Sequence, residues 1–330
     1  MRALKGFKVE FEQKLSESKQ VFIVPHLGVD FDAIAASIGL SLIVKKLGIP
    51  CYIIINDSSL KIESGVKLII EEIGKKVNII NMDKYKQLSG SDDLLILADV
   101  NKTNLICCKD YLDNFKNIVI FDHHNVDENT VNRGARFIDK KFSSTSEIIT
   151  ELMSFYCIKY DRRIADYLLA GIYLDTNKLT KNVTAKTMGL VSKLISKGGS
   201  LDRVNEFFEE DFVSDRKVQD LVGKANFFTY TIATCIADDS VVYTKEELAK
   251  VADYLLKYKV DAAFAAGFID DELISISARS KGKIDVSEIM RDLGGGGGNN
   301  YSAASKIEAD NLNNISKKLE KKIKPDFYQE

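Results

Sequence analysis

The sequence predicts an α/β fold: a doubly wound parallel sheet joined by a helical connector to a smaller α/β domain. Three observations predict it. Short apolar runs alternate with amphipathic stretches across residues 21–197, the order in which parallel strands and their crossover helices follow one another. The 330 residues exceed what a single core usually organises, so two domains are expected. A charged, helical stretch over 201–225, carrying Glu209-Glu210-Asp211, separates a first set of elements from a second.

In chain order, residues 21–25 read as a strand and 32–47 as a helix. A strand at 51–55 and a helix at 62–74 follow, then strands near 77–81, 94–98 and 117–121. Helices are expected at 143–156, near 162–171 and at 184–197, with Gly198-Gly199-Ser200 as a stop. The second set comprises strands at 229–236, 240–243, 261–268 and 273–279, with helices at 245–256 and 285–292. Five glycines, Gly294 to Gly298, stand before a stretch of small residues read as helical, and a last helix covers 308–322. The expected division is residues 1–197, a connector at 198–225, and residues 226–330.

Composition narrows the function classes. A net charge of −2 provides no overall basic field of the kind that grips duplex nucleic acid. The five cysteines, at 51, 107, 108, 157 and 235, form no C-x-x-C pair, so a reducing cytoplasm fits better than a disulfide framework. No apolar run is long enough to span a bilayer, and Met-Arg-Ala-Leu-Lys-Gly lacks a signal core, so no membrane partner is expected. The lysines near the end (Lys317, Lys318, Lys321, Lys322, Lys324) read as a solvated helix face.

The chain has only three histidines, and all sit in two acidic clusters. His26-x-x-x-Asp30-x-Asp32 follows the apolar run Val21–Val24, and Asp122-His123-His124 follows Ile118–Phe121. Asp99 and Asp175 end two further apolar runs, 94–98 and 170–174. A parallel sheet gathers the carboxyl ends of its strands on one edge, where α/β proteins bind ligands. Imidazoles and carboxylates without thiolates suit a pair of divalent ions of the manganese or magnesium class. Asp30 and Asp32 can serve two neighbouring ions, Asp99 can bridge them, and His123 with Asp175 can complete the second site. Two such ions about 3.5–4 Å apart clamp a phosphate and lower the pKa of a shared water.

These motifs, in this order, resemble the DHH phosphoesterase family. Ile276-Ser-Ala-Arg279-Ser280, the glycine run and Ala303-Ala304 resemble its companion substrate domain, DHHA1. Phe142-Ser-Ser-Thr-Ser-Glu147, Ala170 to Asn177, and Ser277 through Met290 are similar to cyclic-di-AMP phosphodiesterases of the GdpP type. The membrane and sensory regions of larger relatives have no counterpart, so a stand-alone catalytic version is expected. The resemblance implies one metal held by His26, Asp30 and Asp99, and another by Asp32, Asp99, His123 and Asp175. Manganese is the implied metal, with magnesium or cobalt compatible.

The resemblance also gives His124 a contact with the scissile phosphate or leaving group, and Asp122 a supporting role. Ser143, Ser144 and Thr145 open a helix and can meet phosphate or simply cap it, while Asn101 reads as a substrate contact or a turn former. In the second domain Arg279, the backbone of Gly295, Gly296, Gly297 and Gly298, and Asn299 are the candidate substrate contacts. Two positions depart from the family pattern. Val29 stands where a proline is usual, and Asn299-Asn300-Tyr301-Ser302 follows the glycines where a histidine is usual. The implied function is hydrolysis of cyclic-di-AMP or pApA to 5′-AMP by a possible homodimer. The alternatives are a nanoRNase or pAp phosphatase of the same family, and a nucleotide sensor with weak turnover.

Overall fold

In the first half of the chain an apolar run becomes a strand wherever a turn or helix cap closes it. The computed structural model describes residues 2–56, 62–209, 212–229, 231–294, 297–298, 302–308 and 312–323. It divides into two compact units, Met1–Glu209 and Glu210–Glu330.

The first unit contains α1 (Arg2–Ser16), β1 (Val21–Pro25), α2 (Phe31–Lys46), β2 (Cys51–Ile54), α3 (Ser64–Ile73), β3 (Asn78–Ile80) and α4 (Met82–Leu88). It continues with β4 (Leu94–Ala98), β5 (Asn117–Asp122), β6 (Ala135–Ile138), α5 (Thr145–Phe155), α6 (Arg162–Asp175), α7 (Ala185–Ser196) and α8 (Leu201–Phe207). Its six strands are parallel, in the order β3-β2-β1-β4-β5-β6. The order reverses between β1 and β4, which opens a crevice at their carboxyl ends. Successive residues of each strand feed opposite faces. Val21, Ile23, Leu94 and Ile96 join one core, while Phe22, Val24, Leu95 and Leu97 join the other.

Helix α2 was read as amphipathic, yet it is buried on nearly every side. It lies among β1, α5 and α6, so no face is left to water. Three elements escaped the sequence reading: α1, α4 and β6. Leu4, Phe7, Phe11 and Leu15 recur at helical spacing along α1 and lie buried, with Phe7 and Phe11 edge-on to Phe121 at 5.5 and 5.2 Å. A correction concerns Asp175. It does not end a strand-like run but closes α6, because the helix capped by Asp161 continues straight through Ala170–Leu174.

The second unit contains α9 (Phe212–Val222), β7 (Asn226–Thr229), β8 (Ile232–Ile236), α10 (Lys245–Leu255), β9 (Ala262–Phe268) and β10 (Leu273–Ser280). It ends with α11 (Val286–Gly294), β11 (Gly297–Gly298), β12 (Ser302–Glu308) and α12 (Leu312–Ile323). The sheet runs β11-β12-β10-β9-β8-β7, with only β8 and β9 parallel. The expected strand at 229–236 is two antiparallel strands. The one expected at 240–243 is reduced to a single bridge, Val242 to Phe268. Residues 302–308 form a strand where small residues suggested helix, since pairing along the whole of β10 outweighs the weak preference of Ser and Ala.

Phe11→Ala should destabilise the first unit by about 3–5 kcal/mol, the usual scale for emptying a core phenylalanine site. Denaturant unfolding checks this, and an unchanged midpoint would mean that α1 is not part of the core.

Candidate metal centre

His26, Asp30 and the Asp122 turn are set by local contacts, whereas Asp32 and Asp99 are held by the start of α5. His26 follows β1, and its Nδ1 lies 2.9 Å from the Leu27 carbonyl. With Nδ1–H donating there, Nε2 is the nitrogen left for the site and faces Asp30 Oδ2 at 3.3 Å and Asp99 Oδ2 at 3.6 Å. Asp30 caps α2, its Oδ1 accepting from the Ala33 amide at 3.0 Å, so Oδ2 is left for the site.

Asp32 lies in the first turn of α2 and is fully buried. Its oxygens accept the Thr145 and Ser146 amides at the start of α5, each at 2.7 Å. Asp99 ends β4 in the left-handed region (φ 60°), and its Oδ1 accepts from Thr145 Oγ1 at 2.8 Å. Asp122 Oδ1 accepts the His123 amide at 2.7 Å, the His124 amide at 3.1 Å and His124 Nδ1 at 2.8 Å. That one carboxylate therefore shapes the turn carrying both histidines.

Three overlapping groups have their ligand atoms within 4.8 Å of one another: His26, Asp30 and Asp99; Asp32, His123 and Asp175; and Asp99, Asp122, His123 and His124. The first two are the expected ligand sets, while in the third the Asp122 carboxylate is taken up by the histidine turn. His123 Nε2 is 3.1 Å from Asp175 Oδ2, 3.6 Å from Asp99 Oδ1 and 3.9 Å from Asp32 Oδ2. Asp99 thus turns Oδ2 toward the first set and Oδ1 toward the second, the geometry of a bridging carboxylate.

The chemistry of the site calls for cations. His123 Nε2 and Asp175 Oδ2 are buried without a hydrogen-bond partner, although they face each other. Two lone-pair donors so placed need a shared cation or proton between them. Burial and the Asp175 charge push Asp32 up to about 8, and burial with the Asp32 charge holds Asp99 well above the usual carboxylate range. Burial alone would lower His26, but its hydrogen bond to Asp30 lifts it to about 9. His123 is lifted likewise to about 9 against its burial, by Asp175 and the Asp32 charge. Burial works against ionisation of Asp122 too, yet its hydrogen bond to His124 keeps it below the usual range. A nitrogen–oxygen set without sulfur fits hard divalent ions.

The other expected residues fall into three groups. Ser143, Ser144 and Thr145 have their hydroxyls engaged by protein: Ser143 with Glu147 at 2.8 Å, Ser144 as the cap of α5, and Thr145 with Asp99. The free amides of α5 are turned on Asp32, where the sequence suggested a phosphate. Asn101 is buried and bonds to Asn125 and Thr130, bracing the loop after the histidines. In the second unit Arg279 donates to Asp253 at 2.9 Å. Gly297 and Gly298 pair with β12, and a side chain at Gly298 would overlap the Ser302 carbonyl. Gly295, Gly296 and Asn299 lie outside the described residues.

Sequence reasoning missed Gly171. A Cβ there would overlap Ser146 Oγ and come within 2.9 Å of Asp32 Oδ1, so only glycine lets α6 pass the buried ligand. The capping reading of Ser144 holds, but that the capped turn aims the Thr145 and Ser146 amides at Asp32 was missed.

Two family models match the chain: the DHH family N-terminal domain over residues 20–172, and the DHHA1 domain over residues 228–325. The chain carries a DHH domain followed by a DHHA1 domain. The DHH match takes in every expected ligand except Asp175. Cyclic-di-AMP phosphodiesterase PdeA of Listeria monocytogenes serotype 1/2a (strain 10403S) is 29% identical over 87% of this chain. The match covers 44% of PdeA, so this DHH chain spans less than half of that relative's length. The bifunctional oligoribonuclease and PAP phosphatase NrnA of Mycoplasma genitalium (strain ATCC 33530 / DSM 19775 / NCTC 10195 / G37) is 28% identical over 74% of this chain and 80% of its own. Among solved structures, an exopolyphosphatase-related protein from Bacteroides fragilis shares the fold, with a TM-score of 0.82, 20% identity and 97% of both chains covered.

Protons held by His26, His123 and Asp32 must leave when divalent ions bind. Each raised group is protonated below its raised value, so manganese affinity should weaken as pH falls below about 9, and more steeply below about 8. The expected slope is about tenfold per pH unit for each proton displaced. Calorimetry in buffers of different ionisation enthalpy reads the released protons, and pH-independent affinity would remove this account. Gly171→Ala should weaken manganese binding about ten- to a hundredfold, the range for disturbing groups that hold metal ligands. Titration beside circular dichroism separates that loss from unfolding.

Proposed function

We propose that this chain is a two-metal phosphodiesterase, using a manganese-class ion pair to hydrolyse cyclic-di-AMP or its linear product pApA to 5′-AMP. The observation that carries the reading is Asp99, whose two oxygens face two separate nitrogen–oxygen ligand sets. His26, Asp30 and Asp99 would hold one ion, and Asp32, Asp99, His123 and Asp175 the other. The ions supply charge to clamp a phosphate and an activated water as nucleophile. Similarity to PdeA supports the substrate class.

The chain's own residues divide the remaining work. His124 is half exposed, with its Nδ1 held by Asp122, so Nε2 is free for substrate. Asp122, held below the usual carboxylate range, fixes the ring's orientation, so Nε2 can meet a phosphate oxygen or the departing 3′-oxygen. Thr145 and Ser146 fix the bridging and buried carboxylates, so no reorganisation is needed when charge develops.

NrnA covers more of its own length in its match, which favours a second reading: short RNA ends or pAp as substrates. No helix among the described residues is long and apolar enough to cross a membrane. The protein should be incubated with manganese, magnesium or cobalt and, separately, cyclic-di-AMP, pApA, pAp and short RNA. AMP release from cyclic-di-AMP or pApA is expected, and Asp99→Asn should lower it roughly a thousandfold. Faster turnover of pAp or RNA would favour the second reading, and metal-dependent binding without cleavage would mean a sensor.

A further inference from the structure

Beside the metal ligands, wholly within the first unit, lies an open cavity of about 640 Å³. His123, His124 and Asp175 line it on the metal side, and Asn182 and Thr184, from the turn before α7, line it as well. Lys140 and Lys141, from the connection between β6 and α5, complete the lining that matters here. That connection is tied to the histidine turn. The Asp139 amide donates to the Asp122 carbonyl at 3.1 Å, and Asp139 Oδ1 accepts the Lys141 amide at 3.0 Å.

The two lysines differ from their neighbour Lys186. Lys186 is spent on Glu151 and on the face of the Phe142 ring. Lys140 and Lys141 are exposed and have no acidic partner among the described residues, although they stand next to a strongly acidic centre. Unpaired cations on a cavity wall are placed for an anionic ligand. Two other candidate phosphate contacts are occupied: the α5 amides hold Asp32, and Arg279 of the second unit holds Asp253. The second unit also has no histidine, since all three belong to the first.

We propose that Lys140 and Lys141 anchor the phosphate that is not cleaved, making this cavity selective for nucleotides carrying a second phosphate beside the scissile one. The inference rests on the phosphodiesterase reading and sharpens it. A substrate with one phosphate gains nothing from the pair, whereas a dinucleotide gains two charge-assisted contacts. Such contacts act on binding, so their loss appears in KM more than in kcat.

The test compares the wild type with the K140A/K141A double variant on pApA and on bis(p-nitrophenyl) phosphate, a diester with a single phosphate. The ratio of kcat/KM between the two substrates should fall about tenfold or more, mainly through KM for pApA. A ratio that does not change overturns the anchor, because general damage to the fold or metal centre lowers both substrates together. Calorimetry of pApA with the manganese-loaded proteins covers the case in which the wild type cleaves neither substrate. There the phosphodiesterase reading fails, while weaker pApA binding by the variant still supports the anchor. Equal binding by the two proteins, or none by the wild type, overturns it.

Discussion

The structure depends on a carboxylate that has no water to solvate it. Asp32 is fully buried between α2, α5 and α6 and is held by two amides at the start of α5. Burying a charge costs several kcal/mol unless it is paired, and the positive end of a helix dipole with two hydrogen bonds offsets only part of that. A cation or a proton can offset the rest, and Asp32, His123 and Asp175 have ligand atoms close enough together to hold a metal ion. The same constraint reaches into the helices. Gly171 must lack a side chain, and Thr145 must supply both an amide and a hydroxyl.

Spending the α5 N-terminus on Asp32 has a consequence for substrate recognition. In many α/β proteins a free helix end receives phosphate. Here that end is turned inward on Asp32 instead. The histidines divide along the same line. His26 and His123 turn inward to ligand sets, while His124, steered by Asp122, remains open to the cavity. One carboxylate thus sets both an inward and an outward imidazole.

In the second unit the described glycines of the run serve packing. A Cβ at Gly294 would press on Ser305 and Ile307, and one at Gly298 would overlap β12. These glycines let the end of α11 and the short β11 lie against the sheet. Arg279, on β10, is steadied by Asp253 of α10.

By itself the sequence determined the strands that carry the site. Val21–Pro25, Leu94–Ala98 and Asn117–Asp122 are covered on both faces, so their apolar runs are nearly continuous and easy to read. With them came His26, Asp99 and His123, because parallel strands deliver their ends to one edge. Tertiary structure alone decided the rest. Asp175 was legible as a candidate at the end of the apolar run 170–174, but that it comes from the end of a helix was not. α1 and β12 follow from partners far along the chain: Phe121 meets Phe7 and Phe11 of α1, and β10 sets the pairing of β12. The need for glycine at 171 appears only when α6 is laid across Asp32. Local sequence records what a segment prefers; the contacts that aim a carboxylate or forbid a Cβ exist only once distant segments meet.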